Sequence, residues 1–378
     1  MNAAGNGMAI KSIAAYAPPD VKSNDWVAAQ LLLEKVRYQE RLVRQLTAEE
    51  DKAFETSDRW IRRFIGFTER RFVAQGEGTI DLAVRAAQLL LQSGSLDPSQ
   101  VDAIVFATVT PSYHNSPPDA ALLQQAMGIP EYVHGQPHEL YGVDVSLACS
   151  SWVAGVRLAY ALIKSNQAKR VLLIGSDAMS TTINWRDRAF ATVLGDAGTA
   201  MELIAVPEDE DWFSPAGGFW SWLGGSQAET IITPQGGSRD PLRKAEELLD
   251  YRNRLTMDGR IVKELIVPFI GGPGVDAALR KAGLTLADLD VAVLHEANLV
   301  LNAEILKAWR ERGFRGTVLD AGGRYGNTTS ASIPLALALH PEALTVGSRF
   351  LLFGFGGGFS ATSAIGTIKS PITVVTDV

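Results

Sequence analysis

Hydrophobic and polar positions along this chain follow two periods. Four short runs, Ala103–Ala107, Val171–Ile174, Val291–Leu294 and Phe350–Phe353, are apolar at every position and predict strands buried on both faces. Elsewhere apolar residues recur at helical spacing, as in Val153, Val156, Tyr160 and Ile163. Strand-like runs alternating with helix-like ones predict the α/β class. Residues 20–56 carry Ala28, Leu31, Leu32, Leu33 and Val36, then Leu42, Val43 and Leu46, with charges between them. They predict one or two helices on the surface. Residues 208–250 contain Trp212, Phe213, Gly217, Gly218, Trp220, Trp222, Gly224 and Gly225 among acidic residues, and read as a long loop excursion. A loop of that length within a compact domain is often functional.

The pattern also repeats. Leu96–Ala107 parallels Leu284–His295, and Lys169–Ser176 parallels Ser348–Phe355, in the same order and at similar spacing. Apolar strands resemble one another by composition, so the shared order carries the argument. It predicts a duplicated α/β unit, with one half at 1–205 and the other at 206–378. In that alignment Thr317–Asn327, followed by the helix-like Thr328–Leu339, is the counterpart of the segment that ends at Cys149.

That segment organises the chain. Val143–Ala148 predicts a buried strand, residues 153–163 predict a helix, and Cys149 stands between them. Unpaired backbone N–H groups at a helix N-terminus favour a thiolate, which marks Cys149 as a nucleophile. A lone cysteine is ordinarily a small buried hydrophobe; the strand-to-helix position sets this one apart. By the duplication His295 closes a strand pseudo-equivalent to Ala103–Ala107, and Asn327 opens a helix pseudo-equivalent to the one after Cys149. Strand C-terminal ends and helix N-termini share one side of a doubly wound sheet, so the three residues converge.

Composition narrows the function. The chain has 378 residues, 46% hydrophobic and 20% charged, long enough for two domains. One cysteine excludes an internal disulfide framework and a multi-cysteine metal site, and suits a reducing cytoplasm. Net charge of −7 argues against a general nucleic-acid binder. No apolar run reaches membrane-spanning length, and no signal pattern opens the chain. Neither a metal site nor a nucleotide-binding glycine fingerprint is visible, so no permanently bound cofactor is expected.

A thiolate forms and releases thioesters readily, so a cysteine nucleophile suits acyl transfer. His295 and Asn327 have side chains able to donate hydrogen bonds to a thioester carbonyl and to the enolate derived from it. The glycine run in Phe353-Gly-Phe-Gly-Gly-Gly-Phe359 brings backbone N–H groups close to a substrate oxygen. With the N–H of Cys149, that of Gly357, or of its neighbour Gly356, would complete an oxyanion hole. The same run also suits a plain tight turn.

Together, Asp144-Val-Ser-Leu-Ala-Cys149, His295-Glu-Ala-Asn298, Gly326-Asn327-Thr-Thr-Ser-Ala331 and Gly356-Gly-Gly-Phe359 resemble the β-ketoacyl-ACP synthase III family of the thiolase superfamily. Ser57-Asp-Arg-Trp60, Gly66-Phe-Thr-Glu-Arg70, Asp187-Arg188 and Gly195-Asp196 extend the resemblance to nearly the whole chain. It implies a duplicated, five-layered α-β-α-β-α fold and a homodimer. It also implies that Cys149 is acylated from a coenzyme A or acyl carrier protein thioester. Claisen condensation with a malonyl thioester follows, His295 and Asn327 binding its carbonyl and stabilising the enolate. Trp60 and Arg188 match the positions flanking the adenine of coenzyme A.

Four departures from the family pattern suggest a specialised branch. Tyr113-His-Asn-Ser-Pro-Pro118, where the family places a tunnel residue, is two residues longer and implies a reshaped gate for acyl groups longer than acetyl. Phe64 replaces an arginine, although Arg62 and Arg63 adjoin it. Val300 replaces a basic carrier-protein contact, leaving Lys307 and Arg310, with Arg312 and Arg315, to meet an acidic carrier. Glu296 replaces the glutamine after the histidine, and segment 20–56 is long. Related enzymes that join β-ketoacyl units into resorcinol or cyclohexanedione products share the triad. A non-condensing acyltransferase, a silent subunit of a heterodimeric synthase and a Cys-His-Asn hydrolase are the other readings. A degradative thiolase would need a second cysteine. His114 is expected to be an exposed loop histidine near the entrance.

Overall fold

The computed structural model describes residues 6–42, 44–213, 218–244, 247 and 251–378. Its strands form two main sheets built to one plan. The first runs in the order Thr373–Asp377, Asn6–Tyr16, Asp196–Pro207, Arg170–Ala178, Ala103–Ala107, Tyr141–Val145. The second runs Phe219–Leu223, Ser360–Thr367, Arg349–Gly356, Val291–Leu294, Thr317–Leu319. Arg170–Ala178 lies antiparallel to Asp196–Pro207 and parallel to Ala103–Ala107, which is parallel to Tyr141–Val145. Arg349–Gly356 repeats this with Ser360–Thr367, Val291–Leu294 and Thr317–Leu319. The four all-apolar runs thus occupy matching central strands, buried on both faces.

Helices fill the space between the sheets and cover their outer faces. Ser151–Lys164 and Ser332–Leu339 form the middle layer, and their Val153, Val156, Ile333 and Leu337 share one core with Val105, Leu173, Val293 and Leu352 of the two sheets. Ser332–Leu339 is apolar on nearly every side because sheets enclose it on both. Thr79–Gln92 and Asp119–Met127 pack outside the first sheet. Val275–Ala282 and Leu299–Glu311 pack outside the second. The result is five layers, α-β-α-β-α.

Three sequence expectations need correction. The strand before Cys149 covers Tyr141–Val145 and forms an edge of its sheet, with Tyr141 and Gly142 exposed and the rest half-buried; among the described residues one side of it has no partner strand. Residues 208–250 are not one loop. Phe219–Leu223 is the first strand of the second sheet, and Phe213, Phe219 and Tyr160 stack in the core with ring centroids 5.1–5.9 Å apart. Gly217 lies outside the described residues. The final strand, Thr373–Asp377, pairs with Asn6–Tyr16, so the segment from 206 to 378 does not close upon itself.

Segment 20–56 forms the helix Asn24–Arg41 and the short helix Ala48–Lys52. Val27 and Leu31 are buried against Ile61 and Phe190, whereas Leu32, Leu33 and Val36 face outward. Val43 lies outside the described residues.

Candidate active site

Cys149, His295 and Asn327 line one cavity of about 570 Å³. Each arrives from a different element. Cys149 stands one residue before Ser150, which precedes the helix Ser151–Lys164. Ser151 closes this turn locally: its Oγ accepts from the Leu147 N–H (2.7 Å) and donates to the Ala148 carbonyl (2.5 Å). Ala148 takes a positive φ of 48° to turn the chain towards the helix. The glycine of the opposing hairpin is required by this approach. A Cβ at Gly356 would lie 2.5 Å from the Cys149 nitrogen. Residues 357–359 then form the turn above the cysteine, and Gly357 lines the cavity.

Cys149 is half-buried and lines this cavity. Dehydration dominates its acidity: burial pushes the thiol up to about 12, and the Asp177 carboxylate adds to the rise. Burial thus opposes the thiolate that the helix N-terminus favours. At neutral pH the cysteine is a thiol that must lose its proton as it attacks.

His295 follows Val291–Leu294 and is fully buried. Its N–H donates to the Phe353 carbonyl (3.0 Å), and its carbonyl accepts from the Asn302 side chain (2.9 Å). The ring packs edge-on to Phe355, 5.4 Å away. Nδ1 lies 2.7 Å from Ser332 Oγ, and Nε2 has no partner. Burial pushes the imidazole down to about 3, so it is neutral at physiological pH.

Asn327 is held by the other half of the molecule. Its N–H donates to the Val193 carbonyl (2.6 Å), and its carbonyl accepts from the Gly195 N–H (3.1 Å). Gly195 is obligatory there, since a Cβ would fall 1.9 Å from the Tyr325 carbonyl oxygen. Asn327 Oδ1 accepts from the Thr329 N–H at 2.9 Å, which leaves the Nδ2 donors to the cavity. The buried Asp177 ties the same loop to the first sheet. Its Oδ1 accepts from Val109 N–H (2.7 Å), Thr110 N–H (3.1 Å) and the hydroxyls of Thr108 and Thr110 (2.9 Å each). Its Oδ2 accepts from Ser330 N–H (2.9 Å) and the Thr329 hydroxyl. One carboxylate thus sets the distance between the two halves at the site.

The family model for 3-oxoacyl-(acyl-carrier-protein) synthase III matches residues 143–215, and its C-terminal model matches 279–368. The β-ketoacyl-(acyl-carrier-protein) synthase III of Roseiflexus sp. (strain RS-1) is 34% identical over 326 residues, 84% of this chain and 92% of that one. The chain belongs to the β-ketoacyl-ACP synthase III family. It is accordingly an acyltransferase on the thiolase fold. The synthase III of Campylobacter fetus is 33% identical, covering 83% of this chain and 91% of its own. The crystal structure of the Pseudomonas aeruginosa PAO1 synthase III superposes with a TM-score of 0.76 at 28% identity, over 97% and 99% of the two chains. Xanthomonas campestris OleA, at 17% identity and a TM-score of 0.74, shares the fold.

The other family positions distribute unevenly. Trp60 lies at the cavity with Phe64, whose ring is 5.2 Å from it. Arg188 sits over the Trp60 ring at 4.7 Å and donates to the Glu55 carbonyl. The two stack on each other, and Arg188 is outside the cavity lining. Val300, where a basic residue was expected, lines the cavity. Lys307 and Arg310 lie farther along its helix, exposed; Lys307 reaches Glu311 at 4.0 Å, and Arg310 stacks on Phe314. Residues 113–118 are outside the lining, so within this chain they do not shape the gate. His114 is exposed and bonds to the Gly236 carbonyl (2.8 Å). Glu296 is buried and accepts from the Ala321 N–H; burial, with Asp320 nearby, pushes it up to about 8.

Several contributors escaped the sequence reading. Ile231, Leu255 and Met257 line the cavity from the paired segments Ile231–Ile232 and Thr256–Met257. They cover the site from the end of the region read as an excursion, which supplies Ile231, and from the stretch just after it, which supplies Leu255 and Met257. Arg186 fastens that cover to the N-terminal helix: its guanidinium lies between the rings of Tyr38 (4.1 Å) and Tyr251 (4.5 Å) and pairs with the buried Glu34 at 3.1 Å. Lys263 also reaches the cavity and pairs with Glu304 at 2.5 Å. Contacts of such separation leave no local spacing signal. Among the described residues no cluster of His, Cys, Asp and Glu could hold a metal ion.

Proposed function

We propose that this enzyme loads an acyl group onto Cys149 and extends it by Claisen condensation with a malonyl thioester. The observation that carries this reading is the meeting of Cys149, His295 and Asn327 in one largely apolar cavity. In loading, the Cys149 proton passes to His295 as sulfur attacks the acyl carbon, and the departing thiolate takes a proton in turn. The N–H groups of Cys149 and Gly357 form the oxyanion hole. In condensation, loss of carbon dioxide from the malonyl group leaves an enolate. The Asn327 Nδ2 donors stabilise it, its carbon attacks the acyl carbon, and the Cys149 sulfur leaves, taking up one proton from solvent by way of His295 Nε2.

Acyl groups of medium length fit best. Ile231, Leu255, Met257, Val262 and Ile266 extend the apolar lining, and removing that surface from water by filling it with methylenes favours binding. Donors are coenzyme A and carrier-protein thioesters. Trp60, with Arg188 drawn aside, receives the adenine, while Lys263, Lys307 and Arg310 meet an acidic carrier. The unpaired edge Tyr141–Val145 supports a homodimer built by strand-to-strand pairing. A reducing cytoplasm would keep Cys149 free. No described helix is long and apolar enough to cross a membrane.

Intact-protein mass spectrometry with acyl-CoA donors from acetyl to dodecanoyl tests this. A stable adduct on wild type, strongest at intermediate length and absent from Cys149→Ala, supports the reading. No adduct from coenzyme A or carrier-protein donors would overturn it.

A further inference from the structure

We propose that Ser332 is a positioning residue that fixes which nitrogen of His295 carries the proton. The Ser332 Oγ lies 2.7 Å from His295 Nδ1 and 2.9 Å from the Thr329 carbonyl oxygen. The hydroxyl is buried at the start of the helix Ser332–Leu339 and has one hydrogen to give. If it donated to Nδ1, no hydroxyl hydrogen would remain for the Thr329 carbonyl. If it donates to that carbonyl, Nδ1–H donates to Oγ and all three groups are satisfied. The Thr329 carbonyl also accepts from the Ser332 N–H and is paired either way; the first arrangement makes one side-chain hydrogen bond among these groups and the second makes two, so the second prevails.

Nδ1 is therefore the protonated nitrogen, and Nε2, buried and without a protein partner, presents a lone pair. This goes beyond the triad itself. It makes the resting His295 a proton acceptor for Cys149, with Ser332 and the Thr329 carbonyl holding the ring as an acceptor chain behind it. On the loading reaction proposed above, Nε2 takes the thiol proton while the sulfur–carbon bond forms. When the donor's carbon–sulfur bond breaks, its thiolate removes that proton and the ring returns to its starting form. The Thr329 carbonyl is held in place by the Asp177 contacts to Thr329 and Ser330. The acceptor chain is thus anchored on both halves of the fold.

The test is nitrogen-15 NMR of the whole enzyme labelled at histidine. There are five histidines, and His295→Asn identifies the resonance. In wild type and Ser332→Thr, the His295 Nδ1 shift should be that of a protonated nitrogen and Nε2 that of an unprotonated one. Ser332→Ala should mix or reverse the two forms and slow acylation of Cys149 by roughly tenfold or more, with Ser332→Thr restoring most of it. Protonated Nε2 in the wild type, or an unchanged tautomer in Ser332→Ala, would overturn the assignment. Were Ser332→Ala not to fold, the wild-type spectrum alone decides. That spectrum does not depend on substrate, so failure of the condensation reading would be seen separately.

Discussion

Replacing Glu296 with glutamine should change how stability depends on pH. The side chain is almost fully buried and accepts from the Ala321 N–H, and burial raises its pKa from 4.5 to about 8. Between those values the folded chain holds a proton that the unfolded chain has released. The unfolded state thus binds fewer protons, and stability falls as pH rises through this window. Each unit corresponds to about 1.4 kcal/mol, so wild type should lose on the order of 4 kcal/mol between pH 5 and 8 from this group. Glutamine keeps the carbonyl oxygen that receives the Ala321 N–H and has no charge to bury. Glu296→Gln should match wild type within about 1 kcal/mol near pH 5 and surpass it by a few kcal/mol at pH 8. Denaturant unfolding of both proteins at pH 5, 6, 7 and 8 measures the difference directly. Parallel stability curves across that range would refute the reasoning.

Other expectations follow from single contacts. Iodoacetamide should alkylate Cys149 slowly at pH 7, with a rate still rising at pH 10; a plateau near neutrality would mean a thiolate the burial argument does not allow. Gly356→Ala should reduce Cys149 acylation by at least tenfold while thermal unfolding stays cooperative, because the new Cβ collides with the Cys149 nitrogen. Arg186→Ala removes a guanidinium held between two tyrosine rings and strands the buried Glu34. It should cost about 2 kcal/mol and broaden the range of acyl chains accepted, which melting curves and the acyl-CoA panel would show.

Much of the fold was legible because burial on both faces writes itself as unbroken apolar runs. Val291–Leu294 and Ala103–Ala107 are strands with the boundaries the pattern gave. Their common order then betrayed the duplication. Phe219–Leu223 was not legible, since alternating Trp220 and Trp222 with serine in a glycine-rich stretch reads as readily as a loop. At the site, Cys149, His295 and Asn327 stood out through chemistry at the ends of strands. Ser332 and Asp177 did not, because a serine or aspartate gains its role from a partner across the fold. The acidity of Cys149 was misjudged for a related reason. The helix N-terminus is visible in sequence, whereas the enclosure that dehydrates the sulfur is assembled from distant segments.

The central claim is that carbon–carbon bond formation happens in this cavity. Acyl-loaded enzyme supplied with a malonyl thioester should release carbon dioxide and a β-ketoacyl thioester two carbons longer, detectable by mass spectrometry. Asn327→Ala should abolish that product while Cys149 still carries an acyl group, and His295→Ala should abolish it and slow the loading of Cys149 as well. Acyl-enzyme that only hydrolyses, or passes its acyl group to an alcohol or amine without extension, would contradict the account.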